Sequence, residues 1–156
     1  HQLCERDHAF HMVIGGGGPL LDDLPEQAQM LGIADRVRFV GRVDDDDLPL
    51  MYAAADAFVL PTSALECFGL IMLEALACGR PVLATPVGAI PEVMWQVEAS
   101  WLSQDASPGA IADLLAAFLA GELPRHEPQA LRRFVEANYA SERIIPQLVR
   151  SALEIE

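Results

Sequence analysis

Glu66 and Glu74 stand with seven residues between them in the run Glu66-Cys67-Phe68-Gly69-Leu70-Ile71-Met72-Leu73-Glu74. Glu66 follows the apolar run Ala57–Pro61, which reads as a strand. It therefore falls at a strand's carboxyl end, where open α/β sheets hold their ligands. Phe68, Gly69 and Leu70 open the helical pattern that comes next. Amides at a helix start lack intrahelical acceptors and face the positive end of the dipole, an arrangement suited to a diphosphate. Gly69 lets a ligand come close to the backbone. Glu74 sits among Leu, Ile, Met and Ala, where an ionised carboxylate is costly unless it accepts hydrogen bonds. Ribose hydroxyls are suitable donors, and a structural ion pair is the plainer alternative. Glu66 taken alone reads equally as a solvated loop acid.

A second feature is the glycine run Gly15–Gly18 before Pro19. Glycines between a strand and a helix allow a tight turn beside a ligand, although a purely structural turn fits as well. The GxGxxG fingerprint fails, because Leu21 or Leu20 stands where its last glycine belongs. Neither GxxxxGK[ST] nor GxSxG occurs, so P-loop and hydrolase readings lose their support. Asp44–Asp47 contains a DxD pattern, but four acids before LPLMYAAA also suit the first turn of a helix. Arg42 and Arg80 are the nearest cations, and Arg80 could simply serve a helix C-terminus.

The elements that must position these residues alternate. Strands are expected at Ala9–Gly15, Arg36–Gly41, Ala57–Pro61 and Pro81–Ala84, with a short edge strand at Ser100–Ser103. Ala57–Pro61 is nearly all apolar and reads as central. Helices are expected at Leu20–Leu31, Asp44–Ala54, Gly69–Cys78, Pro108–Ala120, Glu127–Asn138 and Ser141–Ile155, with a turn and short helix at Gly88–Gln96. The Gly69–Cys78 helix is apolar on nearly every side and is expected to be buried. The sum is α/β: a Rossmann-like, doubly wound parallel sheet with helices on both faces. Such a fold begins with a strand and helix, yet only about eight residues precede the first strand. The first strand–helix unit is thus expected to be missing, and the start, with His1, His8 and His11, to be frayed or truncated.

The 156 residues suit one domain, and 52% hydrophobic content gives it a sizeable core. A net charge of −13 argues against nucleic-acid binding and against docking on anionic lipid. No apolar run approaches the ~18–20 residues of a membrane span, and no signal peptide is visible. Cys4, Cys67 and Cys78 form no CxxC pair and no zinc spacing, which favours a reduced, cytoplasmic setting.

Glu66 to Glu74 resembles the E-x7-E motif, with FG in third and fourth place, of retaining enzymes in the glycosyl transferases group 1 family. VIGGGGPL, ADRVRFVGRV, YAAADAFVLPT, LEALACGRPVLATPVGAIPEV and YASERIIPQL resemble the family's other blocks in the same order. The resemblance runs from about Phe10 to Leu148. It implies the C-terminal, nucleotide-sugar-binding domain of a two-domain GT-B enzyme over 1–156, without the N-terminal acceptor domain. It further implies that Glu74 holds the ribose hydroxyls and that Glu66 is the catalytic-site acid contacting and orienting the donor sugar. The N–H groups of Cys67, Phe68, Gly69 and Leu70 would face the diphosphate and sugar. Main-chain atoms near Val43 would meet the base, and Gly15, Gly16, Gly17 and Gly18 would border the nucleotide.

The implied reaction is retaining transfer of a hexose from a UDP-, GDP- or ADP-sugar to a hydroxyl of a glycan, glycolipid or small molecule. It needs neither metal nor cofactor, because the helix dipole and basic side chains stabilise the leaving diphosphate. The family's basic Arg and Lys for that diphosphate have no counterpart in this sequence. Membrane association, if any, would come through the missing half. The isolated chain is expected to be inactive. The alternatives are a non-catalytic nucleotide-sugar-binding module or subunit, and an epimerase of the same fold. The latter would require further ionisable groups for proton transfer, and none is evident.

Overall fold

The computed structural model describes residues 1–153 and has parallel strands with helices on both faces. Four strands alternate with helices: β1 (Met12–Gly15), β2 (Val37–Gly41), β3 (Phe58–Leu60) and β4 (Val82–Ala84). The helices are α1 (Gln2–Glu5), α2 (Asp23–Met30), α3 (Leu48–Ala54), α4 (Leu70–Ala77), α5 (Ile90–Val97), α6 (Pro108–Leu119), α7 (Pro128–Tyr139) and α8 (Ser141–Leu153). Ile155, the expected end of the last helix, lies outside the described residues. Among the described residues no helix is long and apolar enough to cross a membrane.

β1 pairs in parallel with β2, and β3 with β4, but no hydrogen-bonded ladder joins the two pairs. β1, β2 and β3 each keep one edge with no strand partner among the described residues. Among the described residues the Ala57–Pro61 strand, expected to be central, pairs on one side only, with β4. These two pairs match strands 3-2 and 4-5 of a doubly wound sheet of order 3-2-1-4-5, whose first strand stands between them.

The core gathers on the β3–β4 side. Val82, Leu83 and Ala84 are all buried, and since successive strand side chains point to opposite faces, both faces of β4 are covered. α6 brings Ile111, Leu114 and Leu115 against Val59 and Leu83. α4 contributes Met72, Leu73, Ala75 and Leu76. Trp101 is fully buried, and its indole N–H donates to the Pro124 carbonyl at 3.1 Å, so its one polar atom is satisfied. By contrast, Val13 and Ile14 of β1 are exposed.

Three expectations change. Ser100–Ser103 is not an edge strand. The Glu98 carboxylate accepts from the Ser100 N–H at 3.2 Å and its hydroxyl at 2.8 Å, which winds Ala99–Trp101 into a 3₁₀ turn. A single parallel bridge, Leu102 to Ala84, follows it. The start of the chain is ordered rather than frayed: α1 buries Leu3, and Arg6 meets Asp113 of α6 at 2.6 Å. Finally, Asp44–Asp47 precede α3 instead of filling its first turn. Pro49 fits only the first turn of a helix, which sets the start at Leu48.

α7 lies across α4 and closes its end. The Arg132 side chain donates to the Ala77 carbonyl at 3.0 Å. Gly79 turns the chain with φ +75°, and a β-carbon there would stand 2.7 Å from Pro128 Cβ. Gly79→Ala combines left-handed strain with overpacking and is expected to cost about 3 kcal/mol. For a chain of this size that lowers Tm by roughly 6–12 °C. Thermal melts of the two proteins check it, and an unchanged Tm contradicts the packing described.

Candidate functional site

The segment 61–69 joins β3 to α4 without regular structure. Within it Leu65 takes φ +62°, unusual for a residue with a branched side chain, and that side chain is fully exposed. Glu66 is half-buried, while Cys67 and Phe68 are exposed. Phe68 leans on Tyr139 at the end of α7, their rings 5.9 Å apart. Gly69 is buried, with φ +74°, at the N-cap of α4. The position its β-carbon would take lies 3.8 Å from the Glu66 carboxyl carbon, so that carboxyl folds against the helix start. The first amides of a helix lack intrahelical acceptors, and of those in α4 the Met72 N–H turns back to the Gly69 carbonyl at 2.8 Å.

α4 is not buried on every side. Leu70, Ile71 and Glu74 are exposed, a spacing that defines one open face of the helix. Apolar composition alone could not show this, because the open face is itself mostly apolar. Glu74 is consequently hydrated, and Oε2 of its carboxylate accepts the Tyr52 hydroxyl at 3.1 Å. Tyr52 is half-buried on α3 and packs edge-on to Phe58, ring centres 5.3 Å apart. Burial, and then the negative charge of Glu74, push the Tyr52 phenol well above its ordinary value. It therefore stays a donor throughout the physiological range, and the second carboxylate oxygen remains for another donor.

The glycine turn and Val43 also come together. A β-carbon on Gly15 would approach Val43 Cγ2 to 3.1 Å and Met51 Cε to 3.9 Å. A β-carbon on Gly16, Gly17 or Gly18 would meet nothing within 4 Å. An open cleft of about 470 Å³ is lined by Arg42, Val43, Asp44, Asp47 and Met51 among others, and Val43 and Met51 are the neighbours of Gly15. α3 spans the two parts, with Met51 lining the cleft and Tyr52 reaching Glu74. Arg80 is half-buried, and its Nε has no hydrogen-bond partner among the described residues.

The sequence assigns no role to Tyr52 or Leu65, and although a turn and short helix are expected at Gly88–Gln96, nothing in the sequence links that turn to the loop above it. Only Gly88, a glycine between a strand and a helix, signalled that turn.

Residues 1–140 match the family model described as "Glycosyl transferases group 1". The chain is 37% identical over 114 residues to a GDP-mannose-dependent alpha-(1-6)-phosphatidylinositol monomannoside mannosyltransferase of Mycobacterium tuberculosis, covering 69% of this chain and 30% of that protein. It is 54% identical over 97 residues to a D-inositol 3-phosphate glycosyltransferase of Salinispora tropica, covering 56% of this chain and 20% of that protein. Among solved structures, sucrose-phosphate synthase from Thermosynechococcus elongatus superposes with a TM-score of 0.73 at 30% identity, over 92% of this chain and 39% of that one. The chain thus spans about a third or less of the length of the curated relatives named here.

Proposed function

This chain belongs to the glycosyl transferases group 1 family, and from that premise we propose that it forms the donor-binding domain of a retaining hexosyltransferase. The observation that carries the reading is the convergence at α4: the Glu66 carboxyl against Gly69 at the helix start, and Glu74 on the open face, held by Tyr52. Glu74 accepts from ribose hydroxyls, and Glu66 contacts and orients the hexose. The amides of Cys67, Phe68, Gly69 and Leu70 face the diphosphate. Main chain near Val43 meets the base, and Gly15, Gly16 and Gly17 leave room beside it.

The donor is a UDP-, GDP- or ADP-sugar, and a hydroxyl of a glycan, glycolipid or small molecule is the acceptor. As the sugar–phosphate bond breaks, negative charge grows on the diphosphate. Fixed amide dipoles at a helix start oppose that charge without reorganising, so the reading calls on no metal or cofactor. The acceptor site, and the strand between β1 and β3, belong in this reading to further residues of a longer protein.

Catalysis of this kind needs donor and acceptor held in attack geometry across a cleft, which is worth several kcal/mol of barrier. Residues 1–156 provide one wall of it. Purified alone, they are expected to bind UDP or GDP only in the high-micromolar to millimolar range, roughly −4 to −6 kcal/mol, and to transfer no sugar. Calorimetry beside a sensitive donor-turnover assay tests this. Efficient transfer by the isolated chain would overturn the assignment of the acceptor site to other residues.

A further inference from the structure

We propose that Thr85 and Gly88, in the turn between β4 and α5, are positioning residues that set the Glu66 loop in its working shape. The inference rests on the assignment of Glu66 to the donor sugar made above. Thr85 is a fully buried polar residue in a largely apolar core. Its N–H donates to the Leu60 carbonyl at 3.2 Å, continuing the β3–β4 pairing by one residue. Its hydroxyl donates to the Thr62 carbonyl at 2.5 Å, just where the chain leaves β3. The hydroxyl has one proton, and spending it on Thr62 fixes the direction in which the loop departs.

Gly88 supports the loop from beneath at its functional end. Its φ is +59°, and a β-carbon there would overlap the Glu66 carbonyl oxygen and lie 2.9 Å from the carbonyl carbon. No side chain other than hydrogen fits between these backbones. Two residues on, Ile90 opens α5, and its Cγ1 lies 3.6 Å from the place a Gly69 β-carbon would take. Residues 85–90 thus touch the loop at its beginning, at Glu66 and at its end. Between the first two contacts, Leu65 adopts a left-handed backbone with its side chain wholly in solvent. Burial of the Leu65 side chain does not hold that conformation. The turn below does.

The test uses the full-length protein and whichever of UDP-glucose, GDP-mannose and ADP-glucose it turns over fastest, scored as release of nucleoside diphosphate. Thr85→Val keeps the shape and removes the hydroxyl. It is expected to lower kcat about tenfold while the Kd for the free nucleoside diphosphate stays within about twofold. Thr85→Ser, which restores the donor, should recover most of kcat. In a Glu66→Ala background Thr85→Val should cost nothing more, because the group it positions is gone. Equal losses of turnover and nucleotide affinity, failure of Ser to rescue, or full additivity with Glu66→Ala each overturn the proposal. If Thr85→Val does not fold, Thr85→Ala, which removes the hydroxyl without adding an atom, carries the same kcat-only expectation, and a Thr85→Ala protein of unchanged kcat is the overturning result. If Glu66→Ala itself leaves donor turnover intact, the role of Glu66 is wrong. If Glu66→Ala is selective for turnover and Thr85→Val is not, only the positioning role fails.

Discussion

Glu66→Ala in the full-length protein is expected to lower donor-sugar turnover by about a hundredfold, while the free nucleoside diphosphate binds within about twofold of wild type. The size follows from removing a polar contact that acts on the reacting sugar, where single donors or acceptors are worth on the order of 10²–10³ in kcat. The selectivity follows from position. The Glu66 carboxyl lies at the start of α4, against Gly69, whereas Glu74 lies further along that helix, where Tyr52 of α3 meets it. A loss confined to kcat marks an interaction made in the transition state rather than in nucleotide binding. Steady-state kinetics with the nucleotide sugar, beside calorimetry with the free nucleotide, separate the two. Equal losses for both ligands would show that Glu66 serves the nucleotide instead.

Glu74→Gln is expected to weaken nucleoside diphosphate binding by about 1.5–3 kcal/mol, or roughly 10- to 150-fold, the scale of a charge-assisted hydrogen bond. The geometry explains why so conservative a change matters. A carboxylate offers two acceptor oxygens, and Tyr52 takes Oε2. An amide offers only one oxygen, which must serve either the phenol or a ribose hydroxyl, and its NH₂ would oppose the other donor. Calorimetry of the folded variant with UDP, GDP and ADP decides the matter. Wild-type affinity for all three nucleotides would remove Glu74 from the ribose.

Much of this was legible in the sequence where local chemistry determines the outcome. AFVLP and PVLA formed strands within two residues of their expected bounds because β-favouring apolar runs end at Pro or Gly. Ser107 caps α6 by accepting the Ala110 N–H at 3.2 Å, and Gly121 ends it with φ +74°. What escaped was decided by partners distant in sequence. The Thr85 hydroxyl meets a carbonyl 23 residues away, and no periodicity encodes such a pairing. Glu74 was expected among apolar neighbours but stands on an open face, since composition cannot tell which side of an apolar helix is covered. The 3₁₀ turn at Ala99–Trp101 depends on one capping carboxylate, Glu98, that short apolar spacing does not reveal.

Among the described residues one edge of β1 has no strand partner, which has a consequence for copies of this domain taken apart from any longer protein. Such an edge offers alternating N–H and C=O groups that another extended chain can join. β1 adds exposed Val13 and Ile14, and between Met12 and Gly15 it carries neither the Lys nor the Pro that commonly blocks an incoming strand. The attraction is short-ranged and largely indifferent to salt. The restraint is electrostatic: at −13 per chain, two copies repel before their edges meet. That repulsion reaches about 10 Å at 0.1 M salt and about 3 Å at 1 M. Any self-association of these residues taken alone is thereby expected to depend on ionic strength, low salt keeping copies apart and high salt letting the strands approach.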